Sequence, residues 1–112
     1  MYRAAVIGLG RIGFTMEADS RRPKPATHVG AWLACPRADL VGVCDVDRAR
    51  VGAAECWPVP QRPAAIGISF SVTAGAILEE EPDIVSIATP PETHRALVEE
   101  CAAAWVKAVV CE

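Results

Sequence analysis

Arg3-Ala4-Ala5-Val6-Ile7-Gly8-Leu9-Gly10-Arg11-Ile12-Gly13 is the stretch that decides the fold. Its first half is a short apolar run without alternation, the texture of a strand buried on both faces of a parallel sheet. Its second half spaces glycines as G-x-G-x-x-G, directly after that strand and ahead of a predicted helix, the context in which this spacing carries chemistry. Gly8 permits a tight turn, Gly10 lets the backbone approach a pyrophosphate, and Gly13 lets the helix pack closely on the strand. The Arg11 and Ile12 backbone, at the predicted helix N-terminus, offers free N–H groups to the anion.

Runs of similar texture follow at 40–45, 84–88 and 106–111, with a weaker strand candidate at 67–70. Helical patterns separate them. From Pro91 to Trp105 an apolar stripe of Leu97, Val98, Cys101, Ala102 and Trp105 opposes Arg95, Glu99 and Glu100, which describes a helix packed on a sheet. Thr89 is expected to cap it, Pro90 to fill its first position and Glu92 to close a capping box. Thr73 to Glu81 is a shorter helix, stopped by Pro82 and ending in the solvated run Glu79-Glu80-Glu81, and Trp57 to Pro63 reads as a surface connection. Strands alternating with helices predict an α/β fold, a doubly wound Rossmann-type parallel sheet of order 3-2-1-4-5.

At 112 residues the chain has room for one domain, residues 1–112, and none for a substrate domain beside it. A net charge of -3 and an aromatic content of 5 % argue against a nucleic-acid partner. The apolar runs are too short to span a bilayer, so no membrane association is expected. Five cysteines, Cys35, Cys44, Cys56, Cys101 and Cys111, have neither C-x-x-C spacing nor neighbouring ligand-spaced histidines, so no metal site is expected. They read as reduced thiols of a cytoplasmic protein, those in the predicted strands being buried.

Asp45 ends the second strand, where an ionised carboxylate can accept from both hydroxyls of an adenine ribose and repels a 2′-phosphate. NAD is therefore favoured, with NADP left open because Arg48 and Arg50 lie just beyond. The alternative reading of Asp45 is a solvated strand-end acid or a helix cap for the following turn, and Asp47 competes for the cap. Asp45 follows Gly13 by 32 positions instead of about 20, so about 12 residues are inserted in the first crossover. The Pro-rich, charged stretch Met16 to Ala26 is the insertion, and Thr27 to Leu33 reads as a resumed helix. Arg21, Arg22 and Lys24 are expected in a solvated loop.

With these segments assembled, the chain resembles the N-terminal domain of the Gfo/Idh/MocA oxidoreductases. The resemblance rests on residues 5–13, 40–47, 83–94 and 109–112, the third being the most distinctive. It implies that Thr89, Pro90 and Pro91 line the nicotinamide side, with His94 following at the helix start. It also aligns His28 with a histidine common in the family, and Glu112 with the first position of an acidic-Lys-Pro motif. The lysine of that motif and the substrate domain would lie beyond residue 112.

The expectation is an NAD(P)-binding domain of an enzyme that moves hydride between a nicotinamide and a sugar, cyclitol or related polyol, truncated before the substrate domain. No residue of 1–112 is assigned a catalytic role, and activity of the chain alone is not expected. His28 and His94 read as helix-start side chains bonded to nearby backbone, and Trp32, Trp57 and Trp105 as packing residues. Two other readings stay open: a stand-alone, non-catalytic nucleotide-binding module, and a site for another adenosine-containing coenzyme. The last strand, left as a sheet edge, makes a homo-oligomer possible.

Overall fold

The computed structural model describes residues 1–57 and 67–112. Apart from Trp57, the connection expected at 57–63 lies outside the described residues. Five parallel strands, β1 (Tyr2–Ile7), β2 (Ala38–Cys44), β3 (Ser69–Ser71), β4 (Ile84–Ile87) and β5 (Ala108–Cys111), form one sheet in the order β3-β2-β1-β4-β5. This is the predicted order.

Among the described residues four α-helices cover the sheet: α1 (His28–Ala34), α2 (Arg48–Cys56), α3 (Ala74–Leu78) and α4 (His94–Ala103). Successive side chains of a strand point to opposite faces, so β1 feeds two cores. Val6, with Val29 of α1 and Val51 of α2, belongs to one. Ala5 and Ile7, with Ile77 of α3 and Cys101 of α4, belong to the other. Ser86 on β4 faces the α1 side, where its hydroxyl accepts from Trp32 Nε1 at 2.9 Å and removes the polar cost of burial.

The first crossover departs from expectation. No α-helix opens at the glycine turn; residues 11–14 continue as turns into a 3-10 segment, Thr15–Ala18, and the helix is deferred to α1. Yet the His28 amide donates to the Ile12 carbonyl and the Val29 amide to the Gly13 carbonyl, both at 3.0 Å. In a continuous helix those carbonyls would serve residues 16 and 17. The insertion is thus spliced into a helix whose hydrogen-bond ladder resumes 12 residues later.

One buried carboxylate closes the inserted loop. Glu17 Oε1 accepts from the Ala26 amide at 2.7 Å, and from the Thr27 amide and Thr27 hydroxyl at 2.8 Å. Thr27 then caps α1 through its hydroxyl, which accepts from the Gly30 amide at 3.1 Å. The cations of the insertion gather around Asp19, with Arg21 Nε at 3.6 Å and Arg22 Nε at 3.4 Å from its carboxylate, and Lys24 donating to its carbonyl.

Trp105 is not a packing residue: it is 89 % exposed, at φ 62°. The Val106 amide reaches back to the Cys101 carbonyl and the Trp105 amide to the Ala102 carbonyl, a Schellman stop that turns Trp105 outward and lets Val106 pack on the core. Trp32 and Trp57 pack as expected, Trp57 edge-on to Phe14 with ring centroids 5.3 Å apart. Cys111 is exposed because β5 is the outer strand, whereas Cys44 and Cys101 are buried. Burial pushes their thiols up to about 12 and about 11, so neither supplies a thiolate near neutral pH. Among the described residues no helix is long and apolar enough to cross a membrane.

At the opposite end of the sheet, the Arg3 amide donates to Asp83 Oδ2 at 2.8 Å and Lys107 Nζ lies 3.1 Å from Oδ1, tying the starts of β1, β4 and β5. The Arg3 amide and then Lys107 hold the Asp83 carboxyl below the usual aspartate range. A carboxylate with a depressed folded-state pKa stabilises the fold above the unfolded-state value of about 3.9 and loses that contribution as pH falls through the folded-state value. Thermal melts from pH 7 to pH 3 are expected to show Asp83→Asn below wild type at neutral pH, with the gap closing in acid. For the loop closure, Glu17→Ala is expected to cost about 2–4 kcal/mol in urea unfolding by stranding buried donors, and Glu17→Gln less.

Candidate functional site

The crossovers leave β1 in one direction and β4 in the other, so a crevice opens at the carboxyl ends of these two strands. A cleft of about 750 Å³ occupies it. Gly8, Gly10, Asp45, Thr89 and Pro90 line the cleft. Arg11, Ile12 and Gly13 continue the turn from Gly10, while Pro91 and His94 are not among its lining residues.

The three glycines separate by physical cause. Gly8 has φ 106°, and a Cβ there would meet the Ala88 carbonyl oxygen at 2.5 Å. A Cβ on Gly13 would stand 2.0 Å from the Gly8 carbonyl oxygen. Neither position admits a side chain. Gly10 has no such reason: its φ is not in the left-handed region, and the nearest atom to an added Cβ is Arg50 Nη1 at 3.9 Å. Gly10 and Arg50 both line the cleft, so an added Cβ would stand at the cleft wall without meeting the protein. Among the described residues nothing accepts from the amides of Gly10, Arg11, Ile12 or Gly13. These donors suit a pyrophosphate. They belong to the turn and not to a helix N-terminus, since the first amides of α1 are spent on Ile12 and Gly13.

Asp45 is 7 % exposed. Its Oδ2 accepts from the Leu9 amide and its Oδ1 from the Asp47 amide, each at 2.8 Å. It is a buried tie between the glycine turn and the end of β2, not a solvated acid. Asp47 takes the cap of α2, accepting from the Ala49 amide at 2.9 Å. An ionised carboxylate offers about four lone-pair positions, so two backbone donors leave capacity for hydroxyls.

The wall after β4 differs in detail from expectation. Thr89 caps no helix and Glu92 closes no capping box. Pro91–Thr93 is a 3-10 turn with Pro91 in its first position, and α4 starts at His94 without a side-chain cap. Thr93 Oγ1 donates to the Pro90 carbonyl at 2.7 Å, which leaves Thr89 Oγ1 to donate to Thr93 Oγ1 at 2.5 Å. His94 Nε2 donates to the Thr89 carbonyl at 2.8 Å, the backbone-bonded role read from sequence. His28 behaves differently: its Nε2 lies 3.5 Å from Glu112 Oε2, bringing α1 to the end of β5.

Val46, Arg50, Val72, Ala74, Thr93 and Leu97 also line the cleft, beyond the residues expected from sequence. Val46 and Arg50 neighbour Asp45 in the chain and were within reach of a motif reading. Val72, just after β3, and Ala74 of α3 and Leu97 of α4 arrive only through the topology.

A family model described as an oxidoreductase family with an NAD-binding Rossmann fold, GFO_IDH_MocA, matches residues 2–112. Over 84 residues the chain is 36 % identical to a D-apiose dehydrogenase of Paraburkholderia graminis, an alignment that covers 73 % of this chain and 20 % of that protein. The chain thus spans about a fifth of the length of this curated relative. No solved structure matches it.

The division among the glycines is testable. Gly13→Ala is expected to unfold the turn and lower the thermal midpoint by many degrees, since the clash is with backbone. Gly10→Ala is expected to stay within about 1 kcal/mol of wild type in urea unfolding, the range of an ordinary surface substitution, and yet to weaken binding of a dinucleotide.

Proposed function

This chain belongs to the Gfo/Idh/MocA oxidoreductase family, and from that premise we propose that the cleft between β1 and β4 is where its NAD(P) cofactor is held. The observation that carries the reading is Gly10: a glycine with no conformational or steric cause inside the protein, beside four amides without acceptors among the described residues. The backbone of Gly10 to Gly13 binds the pyrophosphate, Asp45 accepts from the adenine ribose, and Thr89, Pro90 and Pro91 bound the nicotinamide side. His94 supports that wall through the Thr89 carbonyl.

When bound, the nicotinamide supplies or accepts the hydride. The chain's own share is to bind and orient. Neither buried thiol offers a nucleophile, and no residue of the cleft is assigned a proton-transfer role. In an enzyme that joins a substrate domain to this one, the proposed reaction moves hydride to or from a hydroxyl-bearing carbon of a sugar, cyclitol or related polyol. The name of the D-apiose dehydrogenase supports the sugar class.

Isothermal titration of the chain with NADH, and with coenzyme A as an adenosine-containing control, tests the reading. NADH is expected to bind and coenzyme A not to. Asp45→Asn is expected to reduce NADH affinity about tenfold, the scale of a lost charge-assisted hydrogen bond. Binding of coenzyme A alone, or unchanged NADH affinity in Asp45→Asn, would contradict the assignment.

A further inference from the structure

The residue that opens α1 holds two places at once. The His28 amide donates to the Ile12 carbonyl at 3.0 Å, and its ring Nε2 lies 3.5 Å from Oε2 of Glu112, the residue after β5. Side chains four apart share a face of a helix, so Trp32 points the same way as His28, and its Nε1 donates to Ser86 of β4 at 2.9 Å. Ser86 pairs with Val110 of β5, and Glu112 follows Val110 by two, which puts both partners on the face that α1 covers. The helix reaches from the glycine turn across β4 to the end of β5. The His28 side chain is 17 % exposed and that of Glu112 49 %, and their contact is roughly 0.5 Å longer than an ordinary N–H···O bond, so it has room to tighten.

The peptide unit between Ile12 and Gly13 joins this contact to the cleft. Its N–H, on Gly13, meets no acceptor among the described residues, while its carbonyl, on Ile12, accepts from His28. Hydrogen bonds at the two ends of one peptide unit polarise each other, so an anion on the Gly13 amide strengthens the bond to His28. The first residue of α1 is then held more firmly, and with it the ring that faces Glu112. At the strand end, the Glu112 amide donates to the Ile87 carbonyl at 2.9 Å, two residues before Thr89 of the cleft wall. The end of β5 borders the wall proposed above for the nicotinamide.

Resting on the NAD(P)-binding reading above, we propose that His28 is a positioning residue: a dinucleotide on the glycine turn fixes the end of β5 through the His28–Glu112 contact. The turn and the strand end are set together, although β4 separates β1 from β5 in the sheet. Such coupling is reciprocal, so loss of the contact weakens the dinucleotide by the factor by which the dinucleotide strengthens the contact. A contact that served only the fold would leave that affinity unchanged.

The test follows amide hydrogen exchange of the whole chain by NMR, with and without saturating NADH, in wild type, His28→Ala, Glu112→Gln and the double variant, and measures NADH affinity for each. In wild type, NADH is expected to slow exchange of the residue-112 amide about fivefold relative to the Lys107 amide, the low end of coupling between two sites. In either single variant NADH is expected to bind about fivefold more weakly and to leave that ratio unchanged. The double variant is expected to match the singles, since each removes the same contact. Protection of the Lys107 amide, which donates to the Asp83 carbonyl at the other end of β5, reports that a variant is folded. Should one single variant lose that protection, the other carries the test alone. Equal slowing in wild type and the variants, no slowing in a wild type that binds NADH, or losses of affinity that multiply in the double variant would overturn the proposal. Failure of wild type to bind NADH would overturn the binding reading itself, and this inference with it.

Discussion

The carboxylate of Asp45 is the interaction on which the site depends. It stands at the end of β2 and takes the Leu9 amide on one oxygen and the Asp47 amide on the other. The first bond fixes the glycine turn against the neighbouring strand. The second starts the turn that Asp47 caps into α2, and α2 carries Arg50 to the cleft. A buried carboxylate is tolerated only when its lone pairs are satisfied, and here the backbone satisfies them before any ligand arrives. The carboxylate is thereby preorganised, and its remaining lone pairs are presented to the cleft without a large side-chain movement.

The same logic, a buried carboxylate satisfied by amides, keeps the fold intact around the insertion. Glu17 gathers three donors on one oxygen, so the loop closes on itself before the chain re-enters the helix at His28. Because His28 and Val29 then bond the carbonyls of Ile12 and Gly13, the turn is supported from below as a continuous helix would support it. What the insertion changes is the source of the amides left without acceptors among the described residues. They come from the turn alone, without the summed dipole of a long helix starting at Gly10.

The sheet order, the insertion and its length of about 12 residues were legible because each rests on patterns local in sequence: unbroken apolar runs, glycine spacing, and the displaced aspartate. The elements that were misread depend on tertiary choices between near-equal local options. Trp105 continues the apolar stripe of α4, but the helix stops by a Schellman turn that puts Val106 inside and Trp105 outside. Thr89 has the composition of a cap, yet its hydroxyl is engaged by Thr93 before the helix begins. Asp45 lies at a strand end as expected, but its burial goes with the Leu9 amide that reaches it from the neighbouring strand β1, a contact no local pattern shows. Val72 and Leu97 carry no motif at all, and only the crossovers bring them to the cleft.

The chain carries a net charge of -3, which argues against anionic partners in general. A dinucleotide is nonetheless an anion, and the conflict resolves at the scale of the site. A Debye length at physiological salt is about 8 Å, so charges on distant faces matter little at the turn. Lining the cleft, the Arg50 guanidinium is set against Asp45 and Glu92, and the Asp45 oxygens are already met by the Leu9 and Asp47 amides and by Arg50 at 3.7 Å. Net charge describes what the whole surface repels, whereas oriented amides beside a position that excludes no ligand atom describe what one crevice accepts. Gly10 is where the two descriptions part, because the lack of a side chain there opens the cleft wall without altering the charge of the protein.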